Sequence, residues 1–222
     1  MNRSRLWIRL SVWLGTGVII LGFYAWKRLQ RATAPPSATA HTTPLASNAV
    51  YDANPLPLKP FALTDSAGKP FRSEDLLGEV WAASFFFSTC NGPCMSVNRS
   101  IERLQKDIDS EVRFVSVTVN PKIDTADKLR EYASAFEFDP GRWIFLTGRT
   151  DQVQRVAMHS FNVPASGAND ENDGEITHFG KLILVDRQGR IRGYHNPTDP
   201  AEAEILKRKI KKLLKEPAPE TP

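Results

Sequence analysis

Residues 80–108, VWAASFFFSTCNGPCMSVNRSIERLQKDI, decide the fold of this 222-residue chain. The run over 80–87 is apolar and aromatic, which is typical of a strand buried on both faces. From Cys94 onward apolar residues recur at helical spacing with charges between them, which predicts an amphipathic helix over 94–108. Cys90 and Cys94 therefore stand where a central strand gives way to a helix, the edge at which open α/β sheets bind ligands.

The sequence beyond this stretch continues the alternation of strand and helix. β-branched residues predict a strand over 112–119, and a single apolar stripe predicts a helix over 126–138. The remaining predicted elements are a strand over 143–146, a short helix over 151–160, a hairpin of 181–186 and 190–194, and an amphipathic helix that includes Ile205 to Leu214. This order predicts an α/β, thioredoxin-like domain over residues 58–215.

Residues 1–31 predict a membrane anchor. The segment 10–26, LSVWLGTGVIILGFYAW, carries no charge, and with residues 6–8 it provides about 20 residues, enough for a helix to cross ~30 Å of hydrocarbon. The alternative is a cleaved signal peptide with a cleavage site at residues 32–34. Three basic residues directly after the apolar run favour an uncleaved anchor: Lys27, Arg28 and Arg31.

Composition predicts which of the remaining segments are unstructured, and the distribution of charge argues against nucleic acid as a partner. Residues 32–57 are rich in Pro, Ala and Thr and predict a flexible tether, and residues 216–222 predict a disordered tail. Six of the 29 basic residues lie in residues 1–31 without any acid, so the remaining 23 face 25 acidic residues. The folded domain therefore lacks the basic excess of a nucleic-acid binder, and the basic run over 207–215 is typical of a solvated helix face.

The two cysteines are separated by Asn91-Gly92-Pro93. A helix N-terminus favours thiolate over thiol, and thiolate is both the metal ligand and the redox-active form. A static disulfide is the alternative, although it would close a very small loop and constrain little of the unfolded chain. Cys90 and Cys94 are therefore candidates for a metal site, a redox-active pair, or both.

Four histidines could complete a metal site. His41 lies in the predicted tether, His159 ends the predicted short helix, and His195 falls in a predicted loop after a strand. His178 follows the polar segment 165–177 and immediately precedes the hairpin. Two thiolates and one imidazole suit copper, as Cu(I) or Cu(II), with zinc as the alternative. Spacing alone does not show that these three groups meet.

Four segments resemble the Sco/SenC family: STCNGPC (88–94), VRFVSVTVNPKIDTADKLREYASAF (112–136), WIFLTG (143–148) and ITHFGKLILVDRQGRIRGY (176–194). The resemblance covers roughly residues 55–215. It implies a thioredoxin-like, membrane-tethered copper protein that assists assembly of the CuA centre of cytochrome c oxidase. It also implies that Cys90, Cys94 and His178 are the ligands of one copper ion per chain.

The chain departs from the family pattern at three positions. Asn120 stands where many members have an aspartate, which puts any role of that carboxylate in copper transfer or docking in doubt. Asn91 and Met95 replace prolines that are common around the cysteines. Asp124 and Thr125 match the family, although an Asp-Thr pair before a helix also predicts an ordinary N-cap.

Three functions agree with these residues. The first is a copper metallochaperone whose partner is the CuA-bearing oxidase subunit. The second is a thiol–disulfide oxidoreductase that uses Cys90 and Cys94 as its redox-active pair on other copper or thiol-redox proteins, with a thiol peroxidase as a weaker variant. The third is a copper or redox sensor. Copper and disulfide chemistry both predict a single-pass protein of the cytoplasmic membrane whose domain lies on the periplasmic side.

Overall fold

The computed structural model describes residues 23, 26, 48–90, 92–108, 111–137, 139–163 and 179–218. Two compact units divide the chain, residues 1–45 and residues 46–222. In the first unit Phe23 and Trp26 are helical and exposed, with ring centroids 6.2 Å apart. Within the described residues no helix is both long enough and apolar enough to span a bilayer. Apart from Phe23 and Trp26 the predicted anchor lies outside those residues, so it stays a prediction.

An eight-stranded mixed sheet forms the centre of the second unit. Its strands are β1 Leu56–Pro57, β2 Ala62–Asp65, β3 Pro70–Arg72, β4 Val80–Phe86, β5 Val112–Thr118, β6 Trp143–Thr147, β7 Leu182–Val185 and β8 Arg190–His195. Across the sheet they lie in the order β1-β8-β7-β4-β5-β6-β2-β3. The neighbours β4, β5 and β6 are parallel, and all other neighbouring pairs are antiparallel.

The described α-helices are α1 Asn48–Ala53, α2 Pro93–Asp107, α3 Ala126–Ala133, α4 Thr150–Arg155, which continues as a π-helical turn Val156–Ser160, and α5 Pro200–Leu213, and a 3-10 helix spans Ser73–Leu76. Three of the α-helices begin with clear start signals. A proline occupies the first position of α2 and of α5, where its missing N–H costs no hydrogen bond. Thr125 caps α3 by accepting from Lys128 N, and Asp199 caps α5 by accepting from Ala201 N.

Strand β4 is buried on both faces, as its apolar sequence predicts. On one face, Val80, Ala82 and Phe86 belong to a core cluster with apolar side chains of α2, α3 and α5. On the other face, the rings of Trp81 and Phe85 contact Phe161. This double burial fixes the direction of β4 and places Cys90 just beyond its carboxyl end.

The folded domain begins before residue 58, where the predicted tether was expected to end. Residues 48–57 include α1 and β1, and α1 packs against β8. Tyr51 meets Tyr194 edge-on at 5.2 Å between ring centroids, and Asp52 forms an ion pair of 2.9 Å with Lys209. These partners lie far away in sequence, so the local composition of the segment does not reveal them.

Two predicted boundaries near other elements also differ. The first tail residues are held in place, because Glu216 binds Arg192 at 2.8 Å and Gln188 Nε2 donates to Pro217 O at 2.9 Å. Helix α3 ends at Ala133 rather than at residue 138, because the Ser134 hydroxyl donates to Glu131 O at 2.6 Å and competes with the helical pattern.

Candidate metal centre

The carboxyl ends of β4, β5 and β6 meet at one edge of the sheet, and the two cysteines lie there. Phe86 pairs with Thr118, and Val117 pairs with Leu146, so the three strands finish together. We call this the thiol edge; it comprises residues 86–94, 117–125 and 146–148. Cys90 lies in the turn after β4, with its N–H donating to Phe87 O at 3.1 Å. Cys94 is the second residue of α2.

Neither cysteine forms a disulfide, and both are buried, Cys90 being 3% exposed and Cys94 2% exposed. The Cys94 thiol is in hydrogen-bonding contact with Cys90. The sequence therefore placed two sulfur atoms correctly at the start of a helix, and the structure brings them together. The structure does not contain the static disulfide that was the alternative.

Burial changes the expected acidity of this pair. The helix N-terminus predicted a preference for thiolate, but burial raises the pKa of the Cys94 thiol, and the neighbouring Cys90 raises it further. Hydrogen bonds involving the backbone of Phe87 and of Cys94 itself act in the opposite direction and are weaker. The metal-free Cys94 therefore keeps its proton at neutral pH, and a metal that binds there must displace it.

A buried carboxylate, Asp124, links the segments of the thiol edge. Ser88 N donates to Asp124 Oδ2 at 3.0 Å, the Ser88 hydroxyl donates to Oδ1, and the Thr118 hydroxyl donates to Oδ2. Thr147 Oγ1 donates to the main-chain oxygen of Asp124 at 2.6 Å. One residue thus joins the chain after β4 to the ends of β5 and β6. The sequence linked Asp124 to the family pattern and to an ordinary helix cap, and the cap is Thr125.

A buried polar pair packs beside the thiols. Asn98 lies one turn after Cys94 on α2 and donates from Nδ2 to Tyr132 Oη at 3.0 Å. Burial raises the pKa of Tyr132 to about 12, the Asn98 hydrogen bond lowers it, and the charges of Cys94, Cys90 and Asp124 raise it. Tyr132 is therefore within electrostatic range of the thiol pair. The sequence analysis missed Asn98, and the signal that could have found it is its helical spacing, four residues after Cys94.

His178, the predicted third ligand, lies outside the described residues. Its neighbour Phe179 is described, and its ring contacts Phe85 at 6.3 Å and Tyr194 at 6.2 Å. Phe161, before the segment that contains His178, contacts Phe85 at 5.3 Å. Phe161 and Phe179 therefore both contact the ring of Phe85, which belongs to β4, the strand that leads to Cys90. Within the described ranges no group of three His, Cys, Asp or Glu side chains could hold a metal ion.

The other histidines have different settings. His41 also lies outside the described residues, and His159 is exposed in the π-helical turn. His195 was predicted in a loop, but it ends β8 and is fully buried, with Nδ1 3.4 Å from Glu202 Oε2. Burial lowers the pKa of His195 to about 4, with a further lowering by the charge of Lys209.

Known proteins resemble the second unit in sequence and in fold. The SCO1 protein homolog of Bacillus subtilis is 29% identical over 143 residues, which cover 63% of this chain and 73% of that protein. The solved structure of BsSco, a member of the Sco family of cytochrome c oxidase assembly proteins with a disulfide switch, is 26% identical. It superposes with a TM-score of 0.63 over 72% of this chain and 94% of its own.

The solved structure of Bradyrhizobium japonicum ScoI with copper bound is 25% identical, with a TM-score of 0.54 over 71% of this chain and 99% of its own. These similarities confirm the α/β, thioredoxin-like fold of the second unit. The family described as SCO1/SenC matches residues 52–215, which confirms the resemblance inferred from the four sequence segments. The chain belongs to the SCO1/SenC family.

Proposed function

We propose that this protein is a membrane-anchored copper carrier that holds one copper ion, as Cu(I) or Cu(II), with Cys90, Cys94 and His178. Copper is its cargo, delivered during assembly of the CuA centre of cytochrome c oxidase, and the CuA-bearing subunit is the partner. Residues 1–31 anchor it in the cytoplasmic membrane, and the domain lies on the periplasmic side. The topology can be tested with a reporter that is active only in the cytoplasm, fused after Pro222. Activity of that reporter would contradict the proposed topology.

The observation that carries this proposal is the contact between two buried, reduced thiols, Cys90 in the turn before α2 and Cys94 in its first turn. Thiolate sulfur is a soft donor that selects Cu(I) over hard cations. The relatives support the same cargo, since Bradyrhizobium japonicum ScoI has been solved with copper bound. The contacts of Phe161 and Phe179 with Phe85 support His178 as the third ligand, because Phe179 is its neighbour in sequence and packs on the strand that leads to Cys90.

A competition titration of the reduced, full-length chain in detergent with Cu(I) tests the proposal. We expect one copper per chain, and we expect His178→Ala to weaken binding by at least about tenfold. His159→Ala is the matched control, since it removes an exposed histidine and should bind as the wild type does. Unchanged affinity in His178→Ala would show that the ligand assignment is wrong.

A thiol–disulfide oxidoreductase is the second candidate function. The contact between two reduced thiols favours it, and BsSco is described with a disulfide switch. The reaction would oxidise the Cys90–Cys94 dithiol to a disulfide while a partner disulfide takes up two electrons and two protons. Turnover of a disulfide substrate by the copper-free protein, retained in His178→Ala, would put this function first. Copper binding without such turnover would support the copper-carrier function instead.

A further inference from the structure

Asp124 is a carboxylate buried at the thiol edge, and the sequence assigned it no role beyond a match to the family pattern and an ordinary helix cap. It is 1% exposed, and no lysine or arginine of the described chain forms an ion pair with it. Thr125 caps α3 instead, so the Asp124 side chain is turned away from that helix. A buried charged group needs hydrogen bonds to offset its lost hydration. Its neighbours at the thiol edge supply them.

The directions of these hydrogen bonds are fixed by the chemistry of the donors. Thr118 Oγ1 accepts from Asn120 N at 3.0 Å, so its own proton is directed to Asp124 Oδ2. The Ser88 main-chain N–H can only donate, and it also points to Oδ2. Asp124 is therefore an acceptor for neighbours from the turn after β4 and from the end of β5. An amide at this position would present two N–H donors to groups that are themselves donors.

Ser88 connects this network to the thiols. It lies two residues after the end of β4 and two residues before Cys90, so both its main chain and its side chain are held where the turn begins. The same carboxylate binds Thr118 at the end of β5. The position of Cys90 relative to α2, and so to Cys94, therefore depends on a residue that contacts neither sulfur in the described structure.

We propose that Asp124 is a positioning residue for the thiol pair, holding the Ser88–Cys90 turn so that both sulfurs meet one copper ion. This inference rests on the proposed copper function. In metal sites, residues that orient a ligand affect affinity nearly as strongly as weak ligands do, with losses of about 10–100-fold. Asp124 acts one step further out, because it holds Ser88 rather than a sulfur ligand.

Asp124→Asn tests the proposal, with Asp186→Asn as its matched control. Asp186 is also 1% exposed and accepts four hydrogen bonds, but it lies in the turn after β7, at the opposite end of the sheet. Both variants keep side-chain volume and both should lower stability in urea unfolding. We expect Asp124→Asn to weaken Cu(I) binding of the full-length chain by about 10–100-fold and Asp186→Asn by less than about twofold.

Alkylation of the metal-free thiols by iodoacetamide provides a readout that does not need copper. We expect a rate increase of about tenfold in Asp124→Asn, because a released turn exposes buried sulfurs by local opening, and little change in Asp186→Asn. Thr118→Val should change both readouts in the same direction, and Thr118→Ser, which keeps the hydroxyl, should restore them.

The outcomes separate this inference from the proposed function. A wild type that binds no copper would end the copper proposal, while the alkylation rates would still decide whether Asp124 positions the thiols. Wild-type copper affinity and alkylation in Asp124→Asn would overturn the positioning role. Equal changes in Asp124→Asn and Asp186→Asn would overturn it too, since they would follow from lost stability alone.

Discussion

The two ends of the central sheet each bury an aspartate, and different partners hold them. At the thiol edge, Asp124 accepts from hydroxyls and one main-chain N–H. At the opposite end, which we call the far edge, Asp186 accepts from two main-chain N–H groups and from the guanidinium groups of Arg190 and Arg192. Arg192 in turn binds Glu216, which fastens the end of the chain to the hairpin.

This difference assigns different tasks to the two edges. The far edge balances its carboxylates with arginines, so it is stable without any further ligand. The thiol edge combines the Asp124 carboxylate with two groups that become negative when they bind a metal. A cation placed there gains favourable electrostatic energy, whereas a second free anion is disfavoured. The raised pKa of Cys94 in the metal-free protein agrees with this arrangement.

Replacement of one sulfur should have the largest effect, because it should abolish most copper affinity at the thiol edge and leave the folding stability nearly unchanged. We expect Cys94→Ser to weaken Cu(I) binding by at least about 100-fold, because a hydroxyl is a poor ligand for a soft metal. The free energy of unfolding of the metal-free protein should change by only about 1 kcal/mol, since the two side chains are similar in size. Competition titration and urea unfolding measure both quantities. Retained copper affinity in this variant would remove the metal centre from the thiol edge.

Breaking the ion pairs of the far edge should lower the folding stability and leave copper affinity nearly unchanged. Arg192→Met removes the cation that Asp186 and Glu216 share, while Arg190 still binds Asp186, and we expect a loss of about 3 kcal/mol in the free energy of unfolding. Copper affinity of the folded fraction should stay within about twofold, because additivity holds for distant sites. A matched control is Arg155→Met, which removes an exposed ion pair with Asp151. A drop in copper affinity would show that the two edges are coupled.

Acidification should destabilise the folded protein through His195, which pairs across the strands with Leu182. The pKa of His195 is lowered to about 4, so the unfolded chain binds its proton first as the pH falls below about 6.5. Stability that depends on neutral His195 is thus present at pH 7 and is lost between about pH 6.5 and 4, at a cost of about 2–3 kcal/mol. His195→Gln should flatten that part of the curve. An unchanged slope would refute this assignment.

The smallest effect should come from the helix that follows Asp124. Thr125→Ala removes the cap of α3, and we expect it to cost about 1 kcal/mol of unfolding free energy. Copper affinity and thiol alkylation should remain those of the wild type, because Asp124 keeps its hydrogen bonds. Loss of copper binding in Thr125→Ala would mean that the cap, rather than the neighbouring carboxylate, orders the thiol edge.

Local patterns predicted the elements that carry the thiols. The apolar run of β4 and the helical stripe of α2 are periodic enough to place Cys90 and Cys94 at their junction. The network around Asp124 was out of reach, because Ser88 and Asp124 are 36 positions apart and only the parallel pairing of β4 with β5 brings them together. Local reasoning could assign Asp124 only the role of its neighbour Thr125.

The acidity of the thiols and the start of the domain escaped prediction for a related reason. A helix N-terminus is visible in the sequence, but the burial that raises the pKa of Cys94 depends on tertiary packing. Residues 48–57 have the composition of a tether, yet Tyr51 and Asp52 find partners on β8 and α5. Composition describes what a segment does alone, and here distant residues supplied the packing that orders it.

The double contact on Phe85 gives this fold a natural place for protein engineering. Phe161 and Phe179 both rest on that ring, so the 17 positions between them start and finish at a common base. Doubling the length of such an insert costs only about 0.6 kcal/mol of closure entropy. Insertions into the polar stretch 165–177 should therefore add little closure entropy, while His178, both aromatic contacts and the register of the sheet are kept.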